Sequence, residues 1–86
     1  MPPLPSSLLA VSDYLEFDFA VGDAPAVAGF AMPLTEDVTD PSTIGFYTYE
    51  QGQWRRVADV TLVREMRAEG ELTSIPANLA VLRSVP

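Results

Sequence analysis

Hydrophobic and polar residues alternate along this chain at the period of a β-strand, and turn residues cut the alternation into short pieces. In Tyr14-Leu15-Glu16-Phe17-Asp18-Phe19, Leu15, Phe17 and Phe19 fall on one face and Tyr14, Glu16 and Asp18 on the other, the pattern of a half-buried strand. Gly22-Asp23-Ala24-Pro25 then breaks the chain. Ala26 to Leu34 resumes it, with Ala28, Phe30, Met32 and Leu34 on one face. Pro33 inside that stretch has no N–H for a ladder, so the strand is expected at a sheet edge or to end there. Thr35 to Thr43 is polar and acidic and contains the step Asp40-Pro41, which reads as a surface connection with room for one helical turn.

The run Thr43 to Val57 is the strongest local signal. Two β-rich segments, Ile44-Gly45-Phe46-Tyr47-Thr48-Tyr49 and Trp54-Arg55-Arg56-Val57, flank a polar turn containing Gly52, and this predicts a β-hairpin. Val57 to Val63 supplies a further β-branched run, Arg64-Glu65-Met66-Arg67 a turn, and Ala68 to Leu72 an antiparallel return. A helix over Thr61–Glu69 is the alternative, because Glu65 and Glu69 flank arginines at helical spacing. The β-branched Val60, Thr61 and Val63 and the nearby Gly70 weigh against it. Ser74-Ile75-Pro76-Ala77-Asn78 reads as a final break before a fully buried strand, Leu79-Ala80-Val81-Leu82.

Short strands with turn signals every 8–12 residues point to an all-β fold, a small antiparallel β-sandwich. Its expected core holds Leu15, Phe17, Phe19, Phe30, Phe46, Trp54, Val60, Leu62, Leu72, Leu79 and Val81. Residues 1–7, rich in Pro and Ser, read as a linker or arm, and residues 8–86 as one β-sandwich domain. The 48% hydrophobic content is too high for a disordered chain, while eight prolines and five glycines leave little room for long helices.

Charge narrows the choice of partners. Twelve acidic residues against five basic ones give a net charge of -7, which opposes binding to nucleic acid or anionic membranes. Residues 1–53 carry eight acids and no base, a charge of -8, and residues 54–86 carry four acids and five arginines, a charge of +1. Either the arginines pair with acidic strand neighbours within one sheet, or an acidic sheet face meets a neighbouring domain or protein. The sequence has no apolar run near the ~20 residues of a spanning helix. Met1-Pro2-Pro3-Leu4-Pro5 also lacks the basic segment and apolar core of a signal peptide. An exported protein would therefore contain this stretch as an internal piece. With no cysteine, redox chemistry does not reveal the compartment.

Candidate chemistry is sparse. The chain has no His, Cys or Lys, so Ser6, Ser7, Ser12, Ser42 and Ser74 lack a base that would activate a hydroxyl nucleophile. Pairs such as Asp13 with Glu16, or Glu69 with Glu71, could do acid–base work only in a substrate cleft that a small sandwich rarely has. No cofactor is expected. Glu36, Asp37 and Asp40 crowd one loop and could hold Ca²⁺ through hard oxygen ligands, though turn formation through Asp40 explains the same residues. Tyr47, Tyr49 and Trp54 are the candidate ligand-binding residues, since aromatic rings exposed and roughly coplanar on a sheet can stack on sugars. Trp54 also reads as a core plug, and Tyr47 and Tyr49 as packing residues. Arg55 and Arg56, adjacent on a strand, must point to opposite faces.

Met32-Pro33-Leu34, the acidic loop, Phe46 to Tyr49, Gly52, Trp54 and Leu79 to Leu82 follow one another in an order that resembles the ZU-five-like β-sandwich domains of ankyrins, netrin receptors and bacterial surface or secreted proteins. The likeness spans residues 28–83. Some members of that family cleave their own backbone at a His-Phe-Ser step before the last strand. The corresponding stretch here is Thr73 to Asn78, without His, so self-cleavage is not expected. The resemblance implies a non-catalytic structural or interaction module, accessory to catalytic or adhesive neighbours in a larger, secreted or surface bacterial protein. A carbohydrate-binding domain using the hairpin aromatics is the alternative.

Overall fold

The computed structural model describes residues 2–16, 28–72 and 77–84. Its strands are β1 (Leu8–Ala10), β2 (Leu15–Glu16), β3 (Ala28–Pro33), β4 (Ile44–Glu50), β5 (Gln53–Asp59), β6 (Leu62–Arg64), β7 (Arg67–Leu72) and β8 (Asn78–Ser84). A single 3-10 turn, Pro41–Thr43, precedes β4. The strands form a five-stranded sheet in the order β1-β8-β4-β5, with β2 also on β8, and a three-stranded sheet in the order β3-β7-β6. Every pairing is antiparallel. The chain is thus a small antiparallel β-sandwich.

The β4–β5 hairpin turns through Gln51 (φ 52°) and Gly52 (φ 80°), a pair of left-handed residues that matches strand twist in a two-residue loop. A bulge between Phe46 and Tyr47 opposes Ala58 to Phe46 and Arg56 to Tyr47, leaving Val57 as the extra residue. Both Val57 and Ala58 pack against the core. Between the sheets lie Val11, Met32, Leu34, Val38, Ile44, Phe46, Val60, Ala68, Leu72, Leu79 and Val81. Phe30 meets Phe46 edge to face at 6.3 Å. Burying side chains of this size contributes roughly 1.5–3 kcal/mol each.

Val11 and Ser12 tie the two sheets together. Val11 donates its N–H to Val81 on β8 at 3.0 Å and accepts at its carbonyl from Thr35 N–H at 2.9 Å. Ser12, 4% exposed, bridges to Leu34. Its Oγ accepts from Val81 N–H at 2.8 Å, standing in for a strand carbonyl where β1 gives way to β2. Pro33 sits on β3, an edge strand of the smaller sheet, as its missing N–H requires.

Four sequence expectations are corrected. Leu62 lies 44% exposed, because β6 is an edge strand whose alternation turns Val63 inward opposite Ala68 and Leu62 outward. Trp54 packs on the outer face of the five-stranded sheet, outside the inter-sheet core. The run Val57–Val63 is split: β5 ends at Asp59, and the chain crosses to the other sheet at Val60 and Thr61, whose N–H and hydroxyl both donate to Glu69 O. Asn78 belongs to the last strand and not to the break before it. The turn expected at Arg64–Arg67 and the antiparallel return after it are present as β6, a two-residue turn and β7, and the alternative helix over Thr61–Glu69 does not form. Phe17 and Phe19 lie outside the described residues.

Candidate functional site

The hairpin aromatics come together on the outer face of the five-stranded sheet. Register places Tyr49 opposite Trp54 and Tyr47 opposite Arg56, with Ala80 of β8 beside Tyr47. Tyr47, Ala80 and Leu82 form a second buried cluster, packed by Leu4, Leu8, Ala10, Tyr14 and Trp54. The rings meet edge to face. Tyr49 and Trp54 lie 5.3 Å apart at 62°, and Tyr14 and Trp54 lie 5.9 Å apart at 84°. Tyr47 is only 9% exposed. These rings therefore do not form a flat stacking platform. Burial, then the charges of Glu16 and Tyr49, push the Tyr14 hydroxyl above its ordinary ionisation range.

Arg56 spans the bulge. Its guanidinium pairs with Asp59 at 2.8 Å, sits 6.0 Å from the centre of the Tyr47 ring, and covers Gly45, where an added Cβ would come within 2.8 Å of it. Arg55 pairs across the hairpin with Glu50 at 2.6 Å. Each of the two adjacent arginines thus serves a neighbour within its own sheet, and they form no common anion clamp.

The acidic loop does not converge. Asp40 caps the 3-10 turn, its Oδ1 accepting from Ser42 N–H at 3.0 Å and from Ser42 Oγ at 2.7 Å. Those hydrogen bonds hold its carboxyl below the usual carboxylate range. Among the described residues no three acidic side chains gather as metal ligands, so Glu36, Asp37 and Asp40 are not brought to one point.

The outer face of the three-stranded sheet has a different character. Pairing sets Ala31 opposite Glu69, Leu62 on the far side of Glu69, and Gly29 opposite Glu71. These residues line a shallow depression of about 450 Å³. Gly29, Ala31, Leu62 and Glu71 are exposed. Arg64 approaches Glu69 at 3.4 Å at the rim. Small residues form the floor because nothing rests on them: an added Cβ on Gly29 would meet no atom within 4 Å. Among the described residues this face has no covering layer like the one the arm and aromatic rings give the opposite sheet.

Two polar residues that organise the larger sheet escaped sequence reasoning. The sequence puts Asn78 in the break before the last strand, yet its side chain holds Thr48 and Tyr49. Ser12 had no distinguishing pattern at all. No protein-family model, no curated protein and no solved structure matches this chain.

Proposed function

We propose that this domain is a non-catalytic interaction module that docks onto a neighbouring domain or protein through the outer face of its three-stranded sheet. One observation carries the reading: a hydrophobic side chain, Leu62, stands 44% exposed beside an open floor of Gly29 and Ala31, rimmed by Glu69 and Glu71. Small floor residues let a partner backbone or side chain approach closely, and with Glu69 already paired to Arg64, Glu71 favours a partner that presents Arg or Lys beside an apolar contact. The net charge of -7 acts in the same sense at longer range. The resemblance to ZU-five-like domains supports an accessory place in a larger, secreted or surface bacterial protein. The carbohydrate reading draws less support, since Tyr49 and Trp54 meet at 62° and Tyr47 is buried.

Hydrogen exchange on the domain within its native polypeptide, with the isolated chain as reference, tests this function. Protection gained across residues 62–71 is expected, and Glu71→Arg should abolish the gain. Identical exchange in the two contexts would reject docking onto a neighbouring domain of the same polypeptide.

A further inference from the structure

Half-buried Trp54 donates its indole N–H to the carbonyl of Pro3, 51 residues away, at 3.1 Å, in a bond that lies at the surface. We infer that the cleft around this indole is a recognition site for a proline-rich segment of a partner protein, occupied in the resting chain by the protein's own Pro3-Leu4-Pro5. The assignment uses a different surface from the docking face above and does not depend on it.

The site has the parts such recognition needs. A proline segment offers carbonyls with no neighbouring N–H to satisfy them, and an indole N–H is a donor that cannot also accept. Tyr14 and Tyr49 stand edge-on to Trp54 and fix its ring, making an apolar slot beside the indole. Aromatic-lined grooves with such a donor are a recurrent way of reading extended proline segments. Leu4 and Leu8 fill the inner end against Tyr47, Ala80 and Leu82. About 430 Å³ remains open between the arm and the hairpin tip at Gly52 and Gln53, so the slot extends beyond the residues already seated.

The resident segment shows which ligand fits, and its hold is slight. Prolines fix their own φ and keep the preceding residue extended, so Pro3, Leu4 and Pro5 enter the slot already ordered, at small entropic cost. Besides the local turn at Leu8, the Trp54 to Pro3 bond is the one hydrogen bond from the body of the domain to this arm among the described residues. The arm folds back through a turn closed by Leu8 N–H donating to Pro5 O at 3.1 Å. Opening that turn would release the arm without disturbing the inter-sheet core, at the cost of uncovering part of the outer cluster of Tyr47, Ala80 and Leu82. A partner segment of the same chemistry therefore competes with the arm on equal terms, apart from the tether.

The test uses the full chain. Leu4→Asp should loosen the arm and red-shift Trp54 emission while the far-UV β signal stays unchanged. The capped peptide Pro-Pro-Leu-Pro-Ser should restore the wild-type emission saturably. It should bind Leu4→Asp roughly tenfold or more tighter than wild type, because the tethered arm competes at an effective concentration in the millimolar range. Should Leu4→Asp lose its β signal, the double variant Pro3→Gly/Pro5→Gly is read the same way. Trp54→Phe, which keeps a ring but lacks the donor, should weaken peptide binding when followed by calorimetry. Emission that the arm variants leave unmoved, or that millimolar peptide does not restore, would overturn the assignment. A concentration-dependent dimer dissolved by the peptide would make the occupant a second copy's arm and overturn the assignment to a separate partner.

Discussion

Asn78 holds both backbone groups of Tyr49: its Oδ1 accepts from Tyr49 N–H at 2.7 Å, and its Nδ2 donates to Tyr49 O at 2.9 Å. The same Oδ1 accepts from Thr48 Oγ1 at 2.9 Å, so one amide side chain extends the β4–β8 ladder past its last backbone pair, Tyr47 with Ala80. Thr48 is 2% exposed, so its hydroxyl is shielded from the bulk water that would otherwise replace this partner. Asn78→Ala should therefore cost about 1–3 kcal/mol, the range for stranding buried polar groups. Asn78→Asp should also be costly, because it removes the donor to Tyr49 O. Urea unfolding of both variants checks this, and a loss within about 0.5 kcal/mol of wild type, as for ordinary surface changes, would contradict it.

Gly70 and Gly29 make a controlled pair, both in paired strands of the smaller sheet. A Cβ on Gly70 would lie 2.6 Å from the Asp59 carbonyl and 2.8 Å from Phe46 Cε2, and neither the backbone nor the buried ring can withdraw. Gly70→Ala should destabilise the domain by about 1–3 kcal/mol, as overpacking does. Gly29→Ala meets nothing within 4 Å and should leave stability unchanged or raise it by up to about 1 kcal/mol through reduced unfolded-state entropy. Thermal unfolding of the two variants side by side should separate them clearly.

The all-β class and the central hairpin were legible because alternation and turn residues are local signals, and Phe46, Leu72, Leu79 and Val81 fall on the buried phase of their strands. Leu62 and Trp54 were misplaced for a different reason. Which face of a strand is buried depends on what covers it, and period alone cannot tell the inter-sheet face from one covered by Leu4 and Leu8 of the N-terminal segment. The crossing at Val60 was hidden because a β-branched run looks the same whether it stays in one sheet or changes sheets. Ser12 and Asn78 act on backbone groups up to 69 residues away, a separation with no local signature.

The β6–β7 turn carries avoidable strain. Glu65 and Met66 both take left-handed backbone angles, φ 54° and 60°, without a glycine between them. Such angles cost non-glycine residues on the order of 1 kcal/mol each. Met66 is 43% exposed, so its side chain contributes little packing, and its carbonyl, which accepts from Leu34 N–H at 2.7 Å, survives any substitution. Replacing Glu65-Met66 by Asn-Gly, the pair suited to this turn, should raise stability by about 1 kcal/mol. Chemical denaturation with an unchanged slope and a higher midpoint is the expected result. A lower midpoint would show that the side chains, not the backbone angles, govern the turn.

Acid and alkaline limits should trace to different residues. Asp40 holds its proton less tightly when folded, so its contribution is present above the ordinary carboxylate value and is lost as pH falls through the lower folded value. Asp40→Asn, which cannot change charge, should flatten that part of the acid profile. Tyr14 behaves oppositely at high pH. Its folded pKa lies above the ordinary 10.0, chiefly through burial, so the unfolded chain ionises first and stability falls as pH rises through 10.0. Tyr14→Phe should remove this alkaline loss, and the difference in phenolate absorbance between wild type and Tyr14→Phe should titrate above 10.0. A difference titration at or below the ordinary value would mean that Tyr14 is not held against Trp54 and Tyr49 in solution. The aromatic cluster that carries the proline-segment site would then lack one of its supporting rings.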